Sequence, residues 1–346
     1  MTFTPAKRRK SREKKLKTFD ADKNGKIFDG IFGLPFDTED SELVILPVPW
    51  DVASSNHGSS TAPEEILKAS KKISLFREDN SDVWKNGIAL HKIPKKWQES
   101  SQELIKISRK IKRNNNGSIN KQNSSQLIEL YKNVNYSNII LKEWVEDKCN
   151  EYLDKKILMG VLGGDHSVAI GFLNSLAKKN KNIGLLQIDA HSSLRQEPEG
   201  FDFSHNSFAY QALKIKEIKN IIQVSTRETT YAENKNSKSE LSENGKRLKT
   251  YSDNYLKRKL FKGTTWQMLA NEIISGLPKN VYLSIDIDAL QQWLCPNSEK
   301  AVPGGMSFEE LVVLISILRD SGKKIIGFDL CGVTPSKTKK DSWDAE

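Results

Sequence analysis

The stretch IGLLQIDAHSSLR, residues 183–195, begins with six residues that carry no charge and ends in a cluster of ionisable and hydroxyl side chains. A short, mostly apolar run of this kind, rather than strict alternation, is what a strand buried on both faces requires. In open α/β sheets, ligands bind in the crevice outside the carboxyl ends of the strands. Asp189 and His191 are therefore expected at such a rim. Two further runs end the same way: Lys156–Leu162 runs into GGDHS (163–167), and Val281–Ile287 carries SIDIDAL (284–290). Together they bring His166, Asp189, His191, Asp286 and Asp288 to one place.

The spacing has a physical reading. Residues i and i+2 of a strand share a face, so Asp189 with His191, and Asp286 with Asp288, are expected to point the same way. An unpartnered carboxylate in an apolar strand is costly, which argues that these pairs have a cationic partner. Mixed imidazole and carboxylate donors suit Mn, Co, Ni or Zn better than Ca. The five residues are thus expected to hold one or two divalent ions.

Outward from these motifs, apolar runs at Glu42–Val48, Asn220–Ser225 and Lys324–Leu330 complete a set of six expected strands. Helices are expected at Pro63–Lys71, Ser167–Lys178, Thr265–Ser275 and Ser307–Arg319, the last with Leu311, Leu314, Ile315 and Leu318 on one face. Strands alternating with helices predict a parallel sheet covered on both sides. Residues 1–25, which include KRRKSREKKLK, read as a flexible basic arm. Residues 26–346 read as a single α/β domain with an insertion at about 92–155, where NNNGSINKQNSS reads as an exposed loop.

Composition excludes some classes. Hydrophobic content of 37% and charged content of 28% suit a globular chain, and no apolar run is long enough to span a bilayer. Three widely spaced cysteines give neither a disulfide framework nor a zinc cluster, so a reducing, cytoplasmic setting is expected. The net charge of +10 is partly concentrated in the basic arm. No aromatic-interleaved basic motif accompanies it, so a solvated arm is expected before a nucleic-acid or targeting role.

GGDHS, DAHSSLR and SIDID resemble, in order, the GGxHS, DAHxD and SxDxD signatures of the arginase–agmatinase–formimidoylglutamase (ureohydrolase) family. LPVPWD (46–51), FSHNS (203–207), IIQVSTRE (221–228), LCPN…VPGGMSFEE (294–310) and GFDLCGVTP (327–335) resemble its flanking segments. The resemblance implies a three-layer αβα sandwich on a mostly parallel sheet of about eight strands. It also implies hydrolysis of a C–N bond in a small guanidino or formimino substrate, with water activated at two ions, usually Mn²⁺, and assembly into a homo-oligomer. Carried over by position, His191 and Asp288 belong to one metal, His166 to the other, and Asp189 and Asp286 bridge. His205 takes the place of a proton-shuttling histidine. Glu310 matches an acidic residue near the substrate guanidinium, although Ser307-Phe308-Glu309-Glu310 is also a capping box. Arg195 is a candidate for binding a substrate carboxylate or for a structural salt bridge.

The chain departs from the family around the same rim. Ser193 stands where DAHxD has its second aspartate, a ligand of the metal that His166 also holds. Ala289 and Gln291 replace a glycine and an aspartate, Lys300 falls where relatives have small residues, and Gly332 replaces a glutamate of GFDxxE. Two expectations follow: a hydrolase whose His166 site is weakened, or a catalytically inactive relative with a binding or regulatory role.

Overall fold

The computed structural model describes residues 4–22, 28–54, 56–76, 78, 81–116, 124–196, 200–243, 245–298, 300–336 and 342–346. Among them, eight strands form one sheet: β1 (Leu43–Val48), β2 (Ile88–Leu90), β3 (Leu158–Gly163), β4 (Ile183–Ile188), β5 (Ile218–Val224), β6 (Leu248–Tyr251), β7 (Asn280–Asp286) and β8 (Lys324–Cys331). Their order is β2-β1-β3-β8-β7-β4-β5-β6, and every pairing is parallel. All six strands read from the sequence are present, with ends shifted by no more than two residues. The two that the sequence reading missed lie at the sheet's edges. β2 has three residues, and β6 (LKTY) is largely solvent-facing, so neither has the apolar run that marks a buried strand.

Ten α-helices accompany the sheet in the described residues: α1 (Pro5–Leu16), α2 (Ala62–Ser70), α3 (Lys95–Asn116), α4 (Ser124–Leu153), α5 (Ile170–Lys179), α6 (Phe208–Leu213), α7 (Tyr231–Ser237), α8 (Asp253–Phe261), α9 (Trp266–Ser275) and α10 (Phe308–Asp320). Successive strand residues face opposite sides, and the core divides accordingly. Ile183 and Leu185 of β4 and Tyr282 of β7 join a cluster with α3, α4, α5 and α6. Leu186 and Ile188 of β4, with Val281 and Leu283 of β7, join a second cluster with α2, α8, α9 and α10. The result is a helix–sheet–helix sandwich.

The segment expected to be an insertion, about residues 92–155, contributes to this sandwich. Leu104, Ile105 and Ile111 of α3 and Val134, Leu141, Val145 and Cys149 of α4 are part of the first core cluster. The expected exposed loop between them falls chiefly on residues 117–123, outside the described residues.

The basic N-terminal stretch differs from its reading as a flexible arm. Residues 5–16 form α1, capped by Thr4, with Arg8 and Arg12 buried. Arg12 Nη1 donates to Asp40 O at 2.6 Å and to Glu42 Oε1 at 2.8 Å, and Arg8 Nη1 donates to Lys155 O at 3.2 Å. Charge count alone misreads such a segment, because a buried guanidinium is tolerated beside a carboxylate and carbonyl acceptors, here Glu42, Asp40 O and Lys155 O.

β3 and β4 are consecutive in the chain but separated in the sheet by β8 and β7. Loops leaving their carboxyl ends therefore run apart and open a crevice, the switch point at which such sheets bind ligands. The loop after β3 is held close to the one after β1: Asp165 N donates to Trp50 O at 2.8 Å. A Cβ on Gly164 would lie 1.9 Å from that same Trp50 oxygen, so only glycine fits there.

Candidate metal centre

Five side chains from three strand ends meet at the floor of the crevice. They form two groups that share Asp189: His166, Asp189 and Asp286, and Asp189, His191 and Asp288. Within each, the candidate donor atoms all lie within 4.8 Å of one another. The reason they meet is not the one expected. β4 ends at Ile188 and β7 at Asp286, so Asp189, His191 and Asp288 lie beyond the strands. Each pair is instead gathered by a turn in which the first aspartate caps the amide two residues on. His191 N donates to Asp189 Oδ1 at 2.7 Å, and Asp288 N donates to Asp286 Oδ1 at 3.1 Å. Short aspartate side chains favour such local bonds.

One oxygen of each carboxylate is spent on backbone, and the other faces an imidazole. Asp189 Oδ2 lies 3.2 Å from His166 Nδ1, and Asp286 Oδ2 lies 3.7 Å from it. Asp288 Oδ1 accepts from Ala190 N at 3.1 Å, while its Oδ2 lies 2.7 Å from His191 Nδ1. Both histidines thus turn Nδ1 toward the carboxylates and Nε2 away.

The outward nitrogens also face oxygens. His166 Nε2 is 2.6 Å from Ser284 Oγ, which donates to Asp329 Oδ1 at 3.1 Å. His191 Nε2 makes no hydrogen bond, although Glu228 Oε2 stands 3.5 Å from it. A metal-ligating histidine ordinarily donates its other ring N–H to such a group, which fixes its orientation. The His166 ring is further clamped by stacking on Phe208, centroids 4.0 Å apart. Asp189 is held by the buried amides of Gln187 on β4 and Gln223 on β5, a chain that ends at the hydroxyl of the exposed Thr250 on β6. Gln187 Nε2 donates to Asp189 Oδ2 at 2.8 Å, Gln223 Nε2 to Gln187 Oε1 at 3.0 Å, and Thr250 Oγ1 to Gln223 Oε1 at 3.0 Å.

The donor set fits a divalent cation. His166 Nδ1 is buried without a hydrogen-bond partner. Burial, and then the neighbouring Asp288 and Asp189, push the Asp286 carboxyl well above the usual carboxylate range. Buried carboxylates crowded in this way are stabilised by a cation among them. The histidines show the complementary effect. Burial disfavours their charge, yet Asp189 with Asp329 holds His166 well above its ordinary range, and Asp189 with Asp288 raises His191 to about 11.

The pocket above this floor is lined by Asp165, His166, Asp189, His191, Ser193, His205, Asp286, Asp288, Lys300 and Gly332. Both nitrogens of His205 are buried and unpartnered. Burial, then the charges of His191 and Lys300, lower its pKa to about 3. Between that value and the ordinary 6.5 the unfolded chain binds more protons than the folded one, so stability is lost as pH falls through this window. His205→Asn removes that loss. Urea midpoints measured at about pH 7 and about pH 4.5 are expected to fall less for the variant than for the native chain.

Two other expected site residues lie elsewhere. Glu310 does not line the pocket. Its Oε2 accepts from Ser307 N at 2.8 Å, closing the capping box of α10, and lies 3.2 Å from Lys257 Nζ. Glu310→Gln is expected to cost no more than about 1 kcal/mol of stability. It should also leave metal affinity unchanged by calorimetry. Arg195 is also absent from the lining, with its Nε 3.9 Å from Glu233 Oε2. Glu228, Asp329 and the Gln187–Gln223–Thr250 chain were not assigned to the site from sequence. Glu228 and Asp329 lie inside quoted motifs, but nothing local tells which neighbour they face.

The arginase family's sequence profile matches residues 41–344. The chain belongs to the arginase family. Among curated proteins it is similar to the N(1)-aminopropylagmatine ureohydrolase of Thermus thermophilus, 26% identical over 301 residues, covering 86% of this chain and 84% of that one. It is also similar to Arginase 1, mitochondrial, of Arabidopsis thaliana, 28% identical over 186 residues, covering 54% of this chain and 50% of that one. Among solved structures, the agmatine ureohydrolase of Thermoplasma volcanium superposes with a TM-score of 0.66 at 18% identity, covering 96% of this chain and 92% of that one. The proclavaminate amidino hydrolase of Streptomyces clavuligerus gives 0.66 at 16%, covering 94% of each. These likenesses establish the arginase fold, the three-layer α/β architecture described above. Within this arginase-family chain, no helix among the described residues is long and apolar enough to cross a membrane.

Proposed function

We propose that the chain is a metal-dependent hydrolase of amidine C–N bonds, acting on a small guanidino or formimino compound, with its His166 site weaker than its His191 site. The observation that carries this reading is one pocket floor on which two three-residue donor groups share Asp189, beneath the unpartnered imidazole of His205.

His191 and Asp288 would hold one ion, His166 the other, with Asp189 and Asp286 between them. One or two divalent ions, Mn²⁺ first and Ni²⁺, Co²⁺ or Zn²⁺ as substitutes, supply activation of water and polarisation of the amidine when bound. The protein supplies the rest. Backbone amides fix one oxygen of Asp189, Asp286 and Asp288, so these carboxylates need little reorganisation. His205 stays neutral at physiological pH. Once protonated it is a strong acid, able to pass that proton to a departing amine. Ser193 supports the asymmetry between the sites, since a neutral hydroxyl is a poorer ligand than the carboxylate of the family motif.

Mn²⁺ titration by calorimetry, joined to a screen for urea or ammonia release over guanidino and formimino compounds, tests this. The expected result is one tight and one weak ion, with turnover of at least one compound. Two equally tight ions would sink the asymmetry. Metal binding without turnover of any compound would favour the second reading, a non-catalytic relative with a binding or regulatory role. The concentration of Ser193, Lys300 and Gly332 at this pocket is what supports that alternative.

A further inference from the structure

We propose that Lys300 is the charge selector of this pocket: it pairs with a carboxylate at the end of the substrate remote from the amidine and turns away a cationic tail. The proposal rests on the hydrolase reading above for the amidine end; the selector itself rests on charges around the pocket wall.

Once the five candidate ligands are set aside, the lining comprises Asp165, Ser193, His205, Lys300 and Gly332. Asp165 is already engaged. Its Oδ1 accepts from Ser167 N at 2.9 Å and from the Ser167 hydroxyl, and its Oδ2 accepts from Ser54 Oγ at 3.0 Å. His205 is neutral. Among these described lining residues no carboxylate is uncommitted toward an ammonium tail, and the one full positive charge is Lys300, which Glu228, outside the lining, offsets in part.

That ammonium is fixed in place. Lys300 Nζ donates to Glu228 Oε1 at 2.5 Å, and the other oxygen of Glu228 stands 3.5 Å from His191 Nε2. An ammonium has three donors, so one bond to Glu228 leaves two for a carboxylate in the pocket. A second cation adds to its field from the insertion: Lys112 of α3 donates to Ser54 O, and the Ser54 hydroxyl reaches Asp165. The charges of Lys300 and Lys112 both oppose protonation of His205. A substrate bearing guanidinium and ammonium groups, such as the agmatine named for several relatives, meets repulsion here. An amidine acid meets a counter-ion.

The test compares agmatine with 4-guanidinobutyrate, which have a similar span but opposite charge at the far end. Binding of each to the Mn²⁺-loaded protein is measured by calorimetry, with hydrolysis followed separately. The acid is expected to bind about tenfold tighter, the scale of one partly exposed ion pair gained against one lost. Lys300→Met should bring the two within about twofold, and Lys300→Arg should keep the preference, which a merely structural loss would not do. Agmatine binding as well as the acid, neither compound binding, or an undiminished preference in Lys300→Met would overturn the selector. A Lys300-dependent preference in binding without hydrolysis of either compound keeps the selector and counts against the hydrolase. Hydrolysis of both without preference does the reverse.

Discussion

Ser193→Asp is expected to raise the affinity of the second ion by about 100-fold, the equivalent of about 2.7 kcal/mol. The backbone permits the change. Ser193 adopts φ 52°, in the left-handed region, where aspartate is among the residues that settle most readily. The position is buried and lines the pocket beside His166 and Asp189. A carboxylate there adds a unit negative charge facing a divalent cation at short range. Such an attraction is worth several kcal/mol at an intermediate effective dielectric, and part of it is lost to desolvation. Mn²⁺ calorimetry of both proteins, with anomalous scattering to place the ions, checks the outcome. A gain in turnover would mark the natural chain as a weakened enzyme. An unchanged second affinity would mean that Ser193 does not limit that site.

Gly332→Glu is expected to do the opposite, although it too moves the chain toward its family. Gly332 has φ +80°, and a Cβ there would lie 2.1 Å from Asp286 Oδ1 and 2.8 Å from Asp286 Cγ. The left-handed conformation costs a non-glycine residue about 1–2 kcal/mol, and the contact displaces a candidate bridging carboxylate. The amide of Gly332 also donates to Gly164 O at 3.0 Å, so moving the backbone to relieve the clash disturbs the loop that carries His166. Thermal unfolding is expected several degrees below the native chain. Metal analysis should show the His166-side ion lost, and the double variant Ser193→Asp/Gly332→Glu should fall below Ser193→Asp alone. Native metal content together with native stability would show that the 332 turn rearranges freely. The two departures from the family motif thus differ physically: Ser193 lines the pocket in a backbone conformation that accepts aspartate, whereas the space a side chain at Gly332 would need is taken by Asp286.

Much of the site was legible because its signal is local. Asp189 with His191, and Asp286 with Asp288, each lie two residues apart, and the aspartate caps its own turn whatever the rest of the fold does. His166 follows a Gly-Gly-Asp turn at a strand end. Glu310 shows the limit of the same approach. Ser307-x-x-Glu310 fits both a capping box and a family site position, and only the structure shows its carboxylate turned to Ser307 N and Lys257. Local pattern cannot decide between two roles that use the same residue type.

The sequence by itself determined the layered α/β class, the six interior strands and the five residues that gather at the crevice. Buried strands must be apolar, and polar residues at their carboxyl ends stand out against them. The tertiary structure alone decided which groups surround those five. Strand order sets Ser284 of β7 beside Asp329 of β8, and Gln223 of β5 between Gln187 of β4 and Thr250 of β6, from segments up to 63 residues apart as Gln187 and Thr250 are numbered. It also decided that α1 buries Arg8 and Arg12, and that Lys300 faces the pocket across Glu228. The physical reason is the same in each case. Hydrophobic periodicity specifies which face of an element is buried, but a charged or polar side chain takes its role from the partner that chain topology places opposite it.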